Sequence, residues 1–249
     1  MKALITGAGS GIGRDIAHYL ASFGYDLVLV DIDEDSLNSS FKDSRVKVKK
    51  IILDLSKTEN CYKLYDMTKK ERIDILVNNV GFGDCGYFYK TSLEKELEMI
   101  DVNIKCGHIL TKLFLNDFVK RDYGYILNVS SMASFMPGPN MACYYATKAY
   151  VTSLSLSIYE ELRKLQSNVN LSVLCPGPVK TNFNAVANVK FNVASVDSEF
   201  VARYAVDNMF KKKLIIIPSM VMKGNYILTR ILPENLLLNM TSNIQERVN

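Results

Sequence analysis

Tyr144 and Lys148 stand four residues apart in Tyr144-Tyr145-Ala146-Thr147-Lys148, inside a stretch whose pattern predicts a helix near 143–166. Residues at i and i+4 share one helix face, which brings a phenol beside an ammonium. Tyr145 has no lysine at that offset. A free phenol has a pKa of about 10 and is a poor base at neutral pH. A neighbouring ammonium favours its phenolate, each pKa unit being worth about 1.4 kcal/mol. A tyrosine so tuned takes a proton from an alcohol or returns one to a developing alkoxide. Ser131 lies thirteen residues before Tyr144, after a strand-like run ending in Asn128-Val129. Its hydroxyl is suited to hold a substrate oxygen where charge develops.

A second group of residues addresses phosphate. Thr6-Gly7-Ala8-Gly9-Ser10-Gly11-Ile12-Gly13 follows an apolar run and opens an amphipathic segment. Glycines let the backbone turn tightly and approach a pyrophosphate where a Cβ would collide. The helix start aims unpaired N–H groups and a positive dipole end at the same place. A lone G-x-G-x-x-G is weak; strand before, helix after and a second strand next supply its context. That second strand ends in Val30-Asp31, and an acid there accepts hydrogen bonds from ribose hydroxyls and repels a 2′-phosphate. No Arg or Lys precedes Gly11 in the turn, and Ile32 follows Asp31. These features favour NAD(H), with NADP(H) kept as the alternative. The competing reading of Asp31 is an ordinary loop carboxylate, since Asp33, Glu34 and Asp35 follow it.

The elements that must position these residues alternate along the chain. Strand candidates fall at 2–6, 26–30, 46–53, 73–78, 124–129, 170–174 and 214–217. Helical candidates lie near 11–23, 33–42, 57–70, 92–121, 143–166 and 197–210. Several strands are apolar without alternation, as expected when both sheet faces are covered. Repeated strand–helix–strand units specify an α/β, doubly wound parallel sheet with right-handed crossovers and helices on both faces. No repeat, low-complexity tract or linker divides the chain, so one domain over 1–217 is expected, with a tail from 218 to 249 packed on it. Residues 176 to about 196 follow Pro176-Gly177-Pro178 and read as a loop with short helices over a site. In the tail, Ile227, Leu228, Ile231 and Leu232 recur at helical spacing and Pro233 opens a second helix. Two helices packed on the domain are the plainer reading, and a membrane-surface or partner-binding face is the other.

Composition narrows the function classes. The 249 residues are 48% apolar and 22% charged, which argues against disorder and allows a sizeable core. A net charge of +4 is too small to argue for nucleic acid, and Lys211-Lys212-Lys213 reads as a solvated helix end. The five cysteines (Cys61, Cys85, Cys106, Cys143 and Cys175) form no C-x-x-C pair, so no metal site is expected. Scattered single cysteines suit a reducing compartment, and a cytoplasmic location is the default expectation. No stretch is long and apolar enough for a spanning helix, and the first six residues are too short for a signal segment. His18 and His108 have no catalytic context and read as ordinary helix residues.

With these motifs read, the chain resembles the classical short-chain dehydrogenase/reductase family over roughly 1–217. The resemblance rests on the glycine turn, Asp54-Leu55, Asn78-Asn79-Val80-Gly81, Asn103, Ser131, the Tyr144–Lys148 pair and Pro176-Gly177-Pro178-Val179-Lys180-Thr181. It implies a Rossmann-type sheet of about seven strands. It implies cofactor contacts from Gly7, Gly9, Ser10, Gly11, Ile12, Gly13 and Asp31, and selects Ser131 over Ser130. It makes Asn103 part of a water-mediated proton relay and gives Lys148 the nicotinamide ribose. Asp54, beside Leu55, resembles the residue that recognises adenine. Asn79 and Gly81 resemble the turn lining the adenosine half, with Val80 in place of the usual Ala. Val179 and Thr181, after Pro176 and Gly177, resemble the positions that hold the carboxamide. Subunit pairing through the helices near 92–121 and 143–166, and hence a homo-oligomer, is also implied.

The expected function is an oxidoreductase moving a hydride between a nicotinamide cofactor and a secondary alcohol or ketone. Tyr144 serves as acid/base, Ser131 steadies the oxygen, and Lys148 with Asn103 completes the relay. Met132, Phe135, Met136, Met141, Cys143, Phe183 and Phe191 are candidates for an apolar pocket, with core packing as the competing explanation. Two rivals stand beside this reading. One is a dinucleotide-sensing regulator, which would not need Ser131, Tyr144 and Lys148 together. The other is a membrane-surface reductase of lipid-like substrates, suggested by the apolar tail.

Overall fold

The computed structural model describes residues 1–42, 44–242 and 244–247. Seven parallel strands form its sheet: β1 (Lys2–Thr6), β2 (Asp26–Asp31), β3 (Val48–Ile52), β4 (Ile75–Asn78), β5 (Tyr125–Val129), β6 (Asn170–Leu174) and β7 (Ile215–Ile216). Their order is β7-β6-β5-β4-β1-β2-β3. The winding reverses between β1 and β4, and an open α/β sheet binds ligands outside the strand ends at such a reversal.

The helices are α1 (Gly11–Ser22), α2 (Glu34–Ser40), α3 (Thr58–Thr68), α4 (Leu93–Ile100), α5 (Gly107–Lys120), α6 (Ala142–Lys164), α7 (Phe183–Val186), α8 (Ser198–Phe210), α9 (Met220–Leu228) and α10 (Glu234–Thr241). They cover both sheet faces. Ala3, Ile5, Leu27 and Leu29 pack with Ile16 and Leu20 of α1 and Val201 and Ala205 of α8. Leu4, Val28 and Val30, the intervening residues, pack with Leu64 of α3 and Leu110, Phe114 and Phe118 of α5. Successive side chains of a strand point to opposite faces, so burial on both requires the continuous apolar runs seen in the sequence.

Three local departures from the sequence expectations bear on the site. The helix expected over 92–121 is α4 and α5 joined by a π-helical turn, Asp101–Cys106, which carries Asn103. Such turns are rare and are frequent at functional sites. The loop after β6 holds α7 and two small ladders: Val179–Lys180 pairs in parallel with Val196–Asp197, and Val189–Phe191 pairs antiparallel with Gln245–Arg247. The tail therefore carries a terminal strand after its two helices. Among the described residues no helix is long and apolar enough to cross a membrane.

Candidate active site

The turn between β1 and α1 is held by a close backbone approach at Gly13 and by the side chains of Asn79, Thr6 and Asp31. Gly7 and Gly11 adopt φ of +64° and +52°, the left-handed region that glycine enters without strain. A Cβ on Gly13 would lie 2.2 Å from the Gly7 carbonyl oxygen and 2.4 Å from Asn79 Nδ2. Asn79 Nδ2 donates to the carbonyls of Thr6 and Gly7 at 3.0 Å, while Thr6 Oγ1 accepts from the amides of Asn79 and Val80 at 3.1 and 3.2 Å. The side chain of Asn79 thus clamps the turn across the reversal point between β1 and β4. Asp31, at the end of β2, accepts from the Gly9 amide at 2.7 Å and the Asp33 amide at 3.1 Å. The same carboxylate faces the turn and the cavity beyond it.

That cavity, about 450 Å³, runs along the carboxyl ends of the strands. Gly7, Ser10, Gly11, Ile12 and Asp31 line it, with Asn79, Gly81, Ser131, Tyr144 and Lys148. Pro176, Gly177, Val179 and Thr181 line it as well. Gly9 and Gly13 stand outside this lining and shape the turn. Asp54 and Leu55 do not line it; Asp54 Oδ1 accepts from the Ser56 amide at 2.9 Å, and hydrogen bonds from Ser56 hold its pKa below the usual carboxylate range. A cradle whose glycines leave no room for a Cβ, next to a helix start and an acid at a strand end, fits a dinucleotide.

Ser131 begins the 3₁₀ turn Met132–Phe135, its hydroxyl accepting from the Ala133 amide at 3.1 Å, and lies beside the Tyr144 phenol. Ser130 points elsewhere: its hydroxyl donates to the Lys148 carbonyl at 2.9 Å and meets Thr152 at 2.7 Å. Tyr144 and Lys148 emerge from one face of α6, with Lys148 Nζ 5.7 Å from the Tyr144 ring centroid and 3.1 Å from the Val129 carbonyl it donates to. Both are buried. Burial pulls the Lys148 pKa down to about 8. The fall expected for Tyr144 is not found: burial pushes its pKa well above the usual phenol value, against a smaller opposing effect of the Ser131 hydroxyl beside it. The ammonium lies over the ring rather than at the phenol oxygen, so desolvation of the phenolate wins.

Asn103 is buried on the π-helical turn, and both of its side-chain donors are used. Nδ2 donates to the Phe82 carbonyl at 2.9 Å and Thr147 Oγ1 at 3.0 Å, and Oδ1 accepts from the Phe82 amide at 3.0 Å. It binds the segment after β4 to α6. Beside it lies a small cavity of about 20 Å³, lined by Asn78, Asn103, Asn128, Lys148, His108 and Tyr150 among others. One water needs roughly 10–15 Å³. Buried Asn78 Oδ1 has no hydrogen-bond partner there among the described residues.

The other walls were legible only in part, since the candidates Phe135, Met141 and Cys143 do not line the cavity. Met132, Met136, Phe183 and Phe191 line the large cavity, as four of the pocket candidates; Met222, Asn225 and Ile244 enter from the tail. Thr6 Oγ1 and the Gln245 side chain, which accepts from the Tyr145 hydroxyl at 2.9 Å, were also unmarked. Only Thr6 had a signal, its place in the glycine motif.

A family model described as short chain dehydrogenase matches residues 1–190. Over 240 residues the chain is 32% identical to estradiol 17-beta-dehydrogenase 11 of Macaca fascicularis, covering 94% of this chain and 80% of that protein. Its fold superposes on a short-chain dehydrogenase from Sphingobium yanoikuyae in complex with NADPH, with a TM-score of 0.82 and 26% identity over 94% of this chain and 96% of that one. A short chain dehydrogenase/reductase from Burkholderia phymatum in complex with NAD has the same fold, at a TM-score of 0.84 and 24% identity, covering 99% and 97% of the two chains. With the family model spanning three quarters of its length, the chain belongs to the short-chain dehydrogenase/reductase family.

Proposed function

We propose that this protein is a nicotinamide-dependent oxidoreductase acting on a secondary alcohol or ketone, with NAD(H) preferred. The observation that carries the reading is the meeting of Ser131, Tyr144 and Lys148 in the cavity that begins at the glycine turn. When bound, the cofactor supplies the hydride chemistry. The chain's own residues supply position and a proton. Gly7 to Ile12 offer helix-start amides to the pyrophosphate, and Asp31 offers its carboxylate to the adenosine ribose. Ser131 holds the substrate oxygen beside the Tyr144 hydroxyl. Tyr144, protonated across the neutral range, gives its proton to that oxygen in ketone reduction. In the opposite direction Tyr144 must first give up its own proton and take the alcohol's as a phenolate, and the Ser131 hydroxyl lowers the cost of that phenolate. The cavity beside Lys148 and Asn103 has room for a relay water to carry the proton.

Asp31 and the absence of a cationic partner near it support NAD(H): among the described cavity-lining residues, Lys148 is the one lysine or arginine, and it sits with Tyr144. The relative named estradiol 17-beta-dehydrogenase 11 adds support for an alcohol or ketone substrate. The test is NADH oxidation with a panel of ketones. Tyr144→Phe should remove turnover while leaving the NADH Kd nearly unchanged. A variant that kept wild-type turnover would end this mechanism, and a wild type that binds NADH without turning over any ketone would favour a dinucleotide sensor.

A further inference from the structure

We propose that Ile244 and Gln245 form a latch that closes the substrate side of the cavity and fits it to uncharged, apolar carbonyl compounds or alcohols. The proposal rests on the oxidoreductase reading above and deepens it. The strand Gln245–Arg247 runs antiparallel to Val189–Phe191, with Gln245 opposite Phe191, and the Asn192 amide donates to the Ile244 carbonyl at 2.9 Å. The tail thereby fixes the loop that follows β6, the same loop that sends Phe183 and Phe191 into the cavity. Phe183 reaches the catalytic phenol, its ring centroid 5.2 Å from that of Tyr144.

Gln245 is the pin. Its side chain is fully buried, an uncommon place for an amide unless every bond is met. Nε2 donates to the Pro139 carbonyl at 2.6 Å, and Oε1 accepts from the Tyr145 hydroxyl at 2.9 Å. The tail there joins two neighbouring places a hundred or more residues earlier: the turn before α6, and α6 itself one residue from Tyr144. The Tyr145 ring is also fixed from its other side, because a Cβ on Gly138 would lie 2.4 Å from ring atoms. Burial pushes the Tyr145 pKa up to about 12, so its hydroxyl remains a donor through neutral pH.

Ile244 is the wall. It lines the cavity together with Phe191, Val193 and Met222. Among the described residues that line this cavity, Asp31 and Lys148 carry the charges. Asp31 lies at the glycine turn and Lys148 beside Tyr144, so neither is left to pair with a charge on the body of a substrate. A charged substrate would lose its hydration without an opposite charge left in the lining to pair with, whereas an apolar one gains by burial against Phe183, Phe191, Met222 and Ile244.

The test uses the full chain with Gln245→Leu, which keeps bulk but makes neither bond, and separately Ile244→Ala. The readouts are KM and kcat for a phenyl alkyl ketone and for acetone, the NADH Kd, and hydrogen exchange of the amides of residues 189–191. In Gln245→Leu, two buried groups lose their partners. Exchange at 189–191 should then quicken about tenfold or more, and KM for the phenyl ketone should rise by a similar factor. The NADH Kd and the acetone kcat/KM should stay within about twofold, since neither depends on the far wall. Equal losses on the two ketones would reduce Gln245 to scaffold and overturn the proposal, as would unchanged exchange at 189–191. Should Gln245→Leu fail to fold, Ile244→Ala must show the same split between ketones, and an equal response to both refutes the latch. Should the wild type reduce no ketone at all, the oxidoreductase reading fails, and exchange at 189–191 in Gln245→Leu decides the latch by itself.

Discussion

Lys148 holds an ammonium in a buried position, and that should be measurable as a pH-dependent cost in stability. Burial lowers its pKa from the ordinary 10.5 to about 8 in the folded chain. Between those two values the unfolded chain carries the proton and the folded chain does not. The unfolded state therefore binds more protons, and stability rises with pH across the window from about 8 to about 10.5. Below pH 8 both states are protonated and the full cost is present; above 10.5 it has gone. At about 1.4 kcal/mol per pKa unit, the gap corresponds to about 3 kcal/mol. Lys148→Met keeps the length of the side chain and removes the titration. It also leaves the Val129 carbonyl without its donor, but that loss does not vary with pH. The quantity to follow is thus the wild-type stability minus that of Lys148→Met. The elevated pKa values of Tyr144, Tyr145, Tyr25 and Tyr65 lower stability as pH climbs past 10 in both proteins and cancel in the difference. Urea titrations without nucleotide at pH 7.5, 8.5, 9.5 and 10.5, followed by far-UV circular dichroism because the chain has no tryptophan, give the difference directly. It should climb by about 3 kcal/mol in favour of the wild type from the lowest pH to the highest. A difference that stays flat refutes the claim that burial, rather than pairing, governs Lys148. Confirmation would mean that the fold gives up stability at neutral pH to keep a cation beside Tyr144, a trade expected of a working site.

Two further substitutions probe the cofactor end. Asp31→Ser removes the carboxylate that faces the cavity and its bond to the Gly9 amide. The NADPH-to-NADH ratio of kcat/KM should rise about tenfold or more, in keeping with the 1.5–3 kcal/mol of a charged hydrogen bond; an unchanged ratio removes Asp31 from cofactor choice. Gly13→Ala places a methyl 2.2 Å from the Gly7 carbonyl oxygen and should lower stability by roughly 1–3 kcal/mol while weakening NADH binding. Gly224→Ala is its control, since inside α9 a Cβ there meets nothing within 4 Å. It should leave NADH binding alone and gain about 0.5–1 kcal/mol, both read by thermal melts and NADH titration.

What the sequence made legible was local. The parallel sheet could be read because both faces are covered, which forces apolar runs such as Leu27-Val28-Leu29-Val30 that need no partner to be recognised. The glycine turn and the Tyr144–Lys148 pair were visible because their members lie within eight residues of one another. Element ends were less visible. β4 begins at Ile75, two residues later than the apolar run suggests, because the Asp74 carboxylate takes the Lys2 amide at 2.9 Å before the ladder starts. The π-helical turn under Asn103 had no signature, since one extra residue in a helix changes no residue type.

The same distinction explains the two larger surprises. Pairing along α6 predicted a lowered phenol pKa, but charge-on-charge reasoning from i and i+4 holds only while both groups remain solvated. Once α6 packs on β5 and on the turn at Met132, Tyr144 and Lys148 lose water together, and desolvation moves both pKa values toward the neutral forms. The tail shows the spatial version of this limit. Its apolar residues read as helix faces packed on the domain without naming which residues they meet, whereas Gln245, a polar residue with no periodic signal, reaches Tyr145 a hundred residues earlier in the chain. A sequence motif exists where chemistry needs neighbours at fixed offsets along one element. Substrate walls need only neighbours in space, so Met222 and Ile244 could come from any element the fold brings to the mouth of the cavity, and their residue types carry no mark of it. The cofactor half of this protein is therefore written in local spacing, and its substrate half in long-range contacts.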